Sequence, residues 1–585
     1  MSAPRFHHEE SGERDASVLS WAAASQTLTA PDGSLNLGTV VDRIDPDLIA
    51  LHVRHVDGRQ EDVSYGELAE RSNRIARALQ WAGVRPRDRV FLLLDRGPAF
   101  HEVILGVLKA GAVVAPLFSG FGPVPVASRI RVGQGGFLIT TDALYEHKIA
   151  PVRDTLPGLR TVFRVPDLEC PPETASSDQG AELVDLAILM AEIGARPTHV
   201  ATHANDAAWL HFTSGTTGTP KAVMHTHGAG GQILASAREA LDLKSADRYW
   251  CTADPGWVTG TVYGVIAPML AGATSVIEAG PFDPAHWIDT LVGAGVSVWY
   301  TTPTALRMLI RSWPEATPPP ALPELRVVAC VGEPLNPEVV EWGRKVLGHA
   351  VRDTWWQTET GAIMLAALPG QDTPDGAMGR PLTGVSPHLV QRERGGTLRR
   401  LPDVASGEGE LAFEAGWPAM FRDYLGQSER YTECFRDGLY LTGDQVRRDI
   451  DGHYWFVGRA DDMIKSSGHL IGAFEVERVL MAHPAVVEAA AIGVPDETVG
   501  EQVRAVVTLH AGVVPTDALA TALRAHARAR LGAAIAPKEI SFAESLPHTR
   551  SGKIMRRLVR ARLLGLPTDD LSMLQDEPDD HDDDD

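Results

Sequence analysis

The chain predicts an α/β protein: a large N-terminal domain of layered β/α sheets followed by a small α+β C-terminal domain. Short, continuously apolar runs alternate with helix-length segments as far as about residue 385, the rhythm of parallel sheets covered by helices. The texture then changes, with a charged, glycine-rich stretch at 392–410 and shorter strands beyond it. At 585 residues the chain is also too long for one ordinary core.

Taken in order, Ser64-Tyr-Gly-Glu67 has the form of a capping box, and Leu68, Ile75 and Leu79 follow at helical spacing, predicting a helix over 65–82 that stops near Gly83. Residues 89–94 read as a buried strand, 99–109 as a helix and 113–118 as a second buried strand. Residues 207–212 read as another, with a polar loop leaving a sheet edge behind it. Strands recur at 275–278, 296–300 and 325–331, and shorter ones at 410–414 and 454–457. Residues 474–481, 486–494, 504–509 and 517–531 alternate helix, strand, strand and helix, which suits a compact second unit. The expected division is 1–458, 459–570 and an acidic tail over 571–585, and ligands are expected at strand carboxyl ends.

A formal charge of -22 argues against nucleic acid as a partner, because most of the surface repels a polyanion. Part of that charge is local, since residues 576–585 carry eight acidic side chains and read as a solvated tail. Cys170, Cys251, Cys330 and Cys434 form no CxxC pair, so neither a disulfide framework nor a zinc knuckle is indicated. Residues 1–17 lack the apolar centre of a signal peptide, and the apolar run at 103–118 is broken by Lys109 and too short to cross a bilayer. A reducing, cytoplasmic setting without membrane contact is expected.

The densest chemistry lies in Thr213-Ser-Gly-Thr-Thr-Gly-Thr-Pro-Lys221. Gly215 and Gly218 let the backbone approach an anion. Thr213, Ser214, Thr216, Thr217 and Thr219 offer hydroxyls, and Lys221 adds positive charge. These residues suit phosphate, although a polar surface turn is the plain alternative. Pro220 stands where a Walker loop needs its second glycine, so a phosphate loop of another kind is required.

This loop resembles the signature loop of the adenylate-forming superfamily, which contains acyl-CoA synthetases, peptide-synthetase adenylation domains and luciferases. Ala222 departs from it, standing where a glycine is more usual. Further segments match in the same order, and the nearest resemblance is to AMP-forming acetyl-CoA synthetases. It implies that Gly332, Glu333 and Pro334 line an adenine pocket, and that Asp353, Thr354, Trp355, Gln357 and Thr358 bind the adenylate. Glu359 would ligate Mg2+, an ion that takes one or two carboxylates plus phosphate and water. Asp444, in Tyr440-Leu-Thr-Gly-Asp444, is an acceptor-only carboxylate suited to two ribose hydroxyls, with Arg459 beside the nucleotide. Asp461 matches a hinge and Lys553, in Pro547-His-Thr-Arg-Ser-Gly-Lys553, the catalytic lysine.

The implied reaction has two steps. A carboxylate attacks the α-phosphorus of ATP, Lys553 and Mg2+ offsetting the growing charge; the small domain then turns about Asp461 and presents Ser467 and Gly468 to the CoA thiol. Gly120 and Arg528 match CoA contacts, although Arg528 also lies in an arginine-rich helix whose plain reading is a charged outer face. Val258, Thr259, Val331 and Trp356 would line the acid pocket. Because each added CH2 contributes roughly 0.8 kcal/mol of apolar contact, a pocket for acetate or propionate needs a wall, and Trp356 matches it. Leu470 departs from the pattern by replacing an arginine that contacts phosphate, a charge that Lys465 is expected to supply. His225-Thr-His227 reads as a turn rather than a metal pair. The Lys553 segment also resembles a site of reversible acylation, implying an acyltransferase or deacylase partner. The rivals are a ligase for another short or medium acid, an enzyme loading a carrier-protein thiol, and a decayed nucleotide-binding regulator.

Overall fold

The computed structural model describes residues 19–165, 182–192, 199–213, 220–313, 318–393, 397–402, 406–460, 462–466, 469–496, 499–533, 535–548 and 554–566. The predicted capping box forms: Ser64 N–H donates to Glu67 Oε2 at 2.9 Å and Glu67 N–H to Ser64 Oγ at 3.2 Å, starting the helix Tyr65–Trp81. Leu68, Ile75 and Leu79 on its inner face are buried. Two of the caps' orphan donors are thereby satisfied by two side chains, and the apolar stripe fixes which way the helix faces.

Two large sheets carry the N-terminal domain. One has eight strands, with Val113–Leu117, Arg89–Leu93, Phe137–Thr141 and Thr161–Val165 running parallel at its centre. The other has nine, and its centre runs Val351–Trp355, Val327–Cys330, Val298–Thr301, Arg248–Cys251, Thr274–Glu278 and Ile49–Arg54, all parallel. These central strands are almost continuously apolar and buried, as strands covered on both faces must be. An antiparallel sheet follows, in which Gly407–Glu414 pairs with Leu439–Arg448 and that strand with Tyr454–Arg459. The smaller C-terminal domain is built on a five-stranded sheet dominated by the hairpin of Val486–Asp496 and Gly500–Leu509, against which the helix Ala473–Met481 packs.

The buried strand expected over 207–212 forms as Ala207–Thr213, pairing in parallel with Val113–Leu117 on one side and antiparallel with Lys221–Thr226 on the other. The chain leaving the loop forms a further strand, to which Asp423–Tyr424 adds. One expectation needs correcting: His225 is not in a turn, since it lies on Lys221–Thr226. Ala222, Val223, His225 and Thr226 are all buried, the near-continuous burial of a strand covered on both faces.

Candidate active site

The register of the hairpin sets Thr213 opposite Lys221, so the loop expected to hold phosphate is flanked by a hydroxyl-bearing and an ammonium-bearing residue. Ser214, Gly215, Thr216, Thr217 and Gly218 lie outside the described residues, as do Asp461, Ser467, Gly468 and Lys553. Glu359 reaches both ends of the loop from the turn after the strand Val351–Trp355. Its Oε1 accepts from Thr213 Oγ1 at 3.5 Å and stands 4.0 Å from Lys221 Nζ.

Sequence reasoning missed the residue that binds these groups together. Tyr424 donates its hydroxyl to Glu359 Oε1 at 2.8 Å, accepts from Lys221 Nζ at 3.3 Å, and places its ring 4.6 Å from that ammonium. Burial, followed by the Glu359 charge, pushes its phenol well above the ordinary range, so it stays a neutral donor. Tyr424 is 203 residues from Lys221 and meets it only because Asp423–Tyr424 pairs with the strand leaving the loop. No local pattern encodes such a pairing.

The Glu359 turn is held from below. Gly361 has φ +72°, and a Cβ there would stand 2.1 Å from the Ala419 carbonyl and 2.8 Å from the His225 ring, so only glycine allows this approach. His225 sits between two carbonyls, with Nε2 2.8 Å from Thr358 O and Nδ1 3.1 Å from Ala419 O. Burial lowers its pKa to about 4, so the ring is neutral at pH 7 and donates to one carbonyl at a time. His227 turns elsewhere, its Nδ1 accepting from Leu37 N–H at 3.2 Å. The two histidines therefore serve separate hydrogen bonds.

Asp444 is buried, and its carboxylate accepts from Arg459 NH1 at 2.7 Å, Trp355 Nε1 at 3.0 Å and Gln357 Nε2 at 3.1 Å. Tyr440, another residue missed, donates to Gln357 Oε1 at 2.8 Å and so orients that amide. Gly332 takes φ +94° at the end of Val327–Cys330, where Glu333 accepts from Thr304 Oγ1 at 2.6 Å and Arg307 NH2 at 2.5 Å; Pro334 follows. Asp353 and Thr354 point inward. Burial pushes the Asp353 carboxyl well up, and Thr354 Oγ1 donates to Cys330 O at 2.8 Å. Their contribution to a ligand would come through the strand they hold.

Trp356 is fixed on two sides: Nε1 donates to Tyr300 Oη at 3.2 Å, and the ring meets Tyr263 edge to face at 5.1 Å. Tyr263 is itself anchored by Ser236 and by the Ile363 N–H. Val331 belongs to the same cluster and Val258 packs against it, while Thr259 opens the helical turn Gly260–Ile266. Gly120 lies on the neighbouring wall, where Phe118, Phe121 and Trp257 form a triangle of rings 5.3 to 5.5 Å apart. A Cβ at Gly120 would stand 2.6 Å from the Phe118 ring. Arg528 is exposed on the helix Asp517–Leu531, and Lys465 is exposed on Ile464–Ser466, paired with Leu470.

A profile of the AMP-binding enzyme family matches residues 42–425, and one of the AMP-binding enzyme C-terminal domain matches residues 475–553. The chain belongs to the AMP-binding enzyme family. This AMP-binding enzyme is 41% identical over 520 residues to the acetyl-coenzyme A synthetase of Bacillus subtilis, covering 88% of each chain. It is 36% identical over 540 residues to that of Pyrobaculum aerophilum, covering 88% of this chain and 79% of the other. Among solved structures, the acyl-CoA synthetase of Brucella canis superposes with a TM-score of 0.69 at 32% identity, covering 93% of this chain and 97% of that one. ATP-bound MatB of Rhodopseudomonas palustris, at 24% identity and a TM-score of 0.77, shares the fold. No helix among the described residues is long and apolar enough to cross a membrane.

Proposed function

We propose that this AMP-binding enzyme is an ATP-dependent, AMP-forming acid–thiol ligase that converts acetate, and less readily propionate, to its CoA thioester. The observation that carries the reading is the convergence of Thr213, Lys221, Glu359 and Tyr424 from three separate segments on the mouth of the phosphate loop. One carboxylate and one hydroxyl beside that loop suit Mg2+, which Glu359 would hold and which supplies positive charge to phosphate oxygens when bound. The three donors on Asp444 hold its carboxylate in one orientation, as recognition of a ribose requires.

In the first step a carboxylate oxygen of the acid attacks the α-phosphorus, the bond to the bridging oxygen breaks and pyrophosphate leaves. Lys553 stabilises the charge that grows on the oxygens around phosphorus. In the second, the CoA sulfur attacks the acyl carbon, its proton passing to solvent, and AMP leaves with the bonding pair. Between the two, the small domain turns about Asp461. Trp356, locked by Tyr300 and Tyr263, supports a short acid, because a wall that cannot swing aside excludes longer chains. A cytoplasmic setting follows from the cosubstrates, and acylation of Lys553 would remove the charge the first step needs.

Pyrophosphate exchange into ATP, measured without CoA across acetate, propionate, butyrate and larger acids, tests the proposal. Exchange greatest with acetate, and thioester only when CoA is added, is expected. Thioester formed on a carrier-protein thiol but not on CoA would overturn it.

A further inference from the structure

Trp356 is locked by Tyr300 and Tyr263, but a pocket that selects by size needs more than one fixed wall. Val258 and Thr259, expected to line the same pocket, belong to a loop between the strand Arg248–Cys251 and the helical turn Gly260–Ile266. Thr252 ties the start of that loop to the neighbouring strand, its N–H donating to Tyr300 O at 3.0 Å and its hydroxyl to Thr301 Oγ1 at 2.6 Å. Beyond it the hydrogen bonds are local. Trp257 N–H donates to Asp254 O at 2.9 Å, Gly256 N–H to Asp254 Oδ1 at 2.8 Å and Thr261 Oγ1 to Pro255 O at 2.6 Å.

Bonds of this kind shape a loop without fixing where it lies. On one side Gly256 rests on the Phe118 backbone, since a Cβ there would stand 2.5 Å from Phe118 N, and the Trp257 ring meets Phe118 and Phe121. Elsewhere Ala253, Pro255 and Gly260 share with His101, Tyr249 and Ser275 the lining of a cavity of about 30 Å3, room for a single water. Close packing therefore does not hold the loop from that direction.

A charged group from another part of the chain does. Arg96 follows the strand Arg89–Leu93 of the eight-stranded sheet and precedes the helix Pro98–Lys109, whereas the loop follows a strand of the nine-stranded sheet. Arg96 Nε stands 3.4 Å from Asp254 Oδ2, with side-chain exposures of 29% and 12%. Among the described residues this is the one ion pair made by 252–260. It joins the carboxyl ends of strands from two sheets, where ligands gather. Burial pushes the Asp254 carboxyl up, and the Arg96 charge and Gly256 N–H oppose that push. Without Arg96 the carboxylate would be left buried beside one N–H, a costly state that the loop relieves by shifting toward water.

We infer that Arg96 is a positioning residue for acid selection: by holding Asp254 it sets the place of Val258 and Thr259, and with them the room available to the acid. The inference rests on the proposed function and adds to it a determinant of substrate size on a segment that does not line the pocket.

The test compares wild type with Arg96→Met, Arg96→Gln, Asp254→Asn and Arg96→Lys in pyrophosphate exchange with acetate, propionate and butyrate, alongside melting temperatures. Arg96→Met should raise KM for acetate roughly fivefold to twentyfold, the scale of a small misplacement of a binding wall, while KM for ATP stays within about twofold. The ratio of kcat/KM for propionate to that for acetate should rise about threefold to tenfold, because a wall that yields admits the added CH2. Arg96→Gln and Asp254→Asn should reproduce both changes. Arg96→Lys, which keeps the charge, should return both to within about twofold of wild type. A residue that merely stabilised the fold would lower the melting temperature and leave the acid ratio untouched. An unchanged acetate KM and acid ratio in the neutralised variants that fold, or equal rises in KM for acetate and ATP, would overturn the positioning role. So would failure of all three to fold, by showing that the pair holds the domain rather than the pocket. No exchange by wild type with any acid would instead overturn the function beneath it.

Discussion

The two charged groups on which the proposed chemistry turns are supported in opposite ways. Asp444 accepts hydrogen bonds from Trp355, Gln357 and Arg459, Gln357 is oriented in turn by Tyr440, and the carboxylate is buried between two paired strands. The segment that carries Lys553 is flanked by one backbone bridge, between His548 and Ile554, and by a partly exposed pair within the small domain, His548 and Glu488 at 3.4 Å. A dense, buried network has one arrangement, whereas a segment flanked by one bridge and one partly exposed pair is held by little. The difference teaches how one chain would combine a fixed nucleotide seat with a lysine that arrives and departs.

The strongest way to break this contrast is Lys553→Gln, which should slow pyrophosphate exchange by roughly 100-fold to 1,000-fold, the effect of removing one group aimed at transition-state charge. Thioester formation from supplied adenylate should be unaffected, and an equal loss of both would mean that the lysine is not mobile. On the fixed side, Asp444→Ala should lower kcat/KM for ATP by roughly 10-fold to 100-fold, as loss of charge-assisted hydrogen bonds does. ATP titration at saturating acetate checks this. Tyr424→Phe removes only a hydroxyl from Glu359 and Lys221, and should raise the Mg2+ concentration giving half-maximal exchange by about tenfold, the low end for a hydrogen bond to a charged group. The smallest change per step is Trp356→Gly, after which each added CH2 of the acid should gain about fourfold in kcat/KM where wild type loses. Exchange rates along the series from acetate to hexanoate measure it.

Features with local causes were legible from sequence. The capping box needs only Ser64 and Glu67, three residues apart, and the central strands announce themselves as short apolar runs because both faces are covered. The rest depends on pairings across long stretches of chain. Tyr424 meets Lys221 through a two-residue strand at the sheet's edge, and His225 meets Thr358 at a separation of 133 residues. Nothing within Ala207–Thr213 records that Lys221–Thr226 returns beside it. Gly361 likewise carries no sign, in sequence, of the carbonyl that forbids a side chain there.

Nucleotide product analysis during turnover with acetate, CoA and ATP tests the central claim most directly. Cleavage between the α- and β-phosphorus predicts AMP and pyrophosphate, each equal in amount to the acetyl-CoA formed. ADP and inorganic phosphate in that ratio would contradict the account.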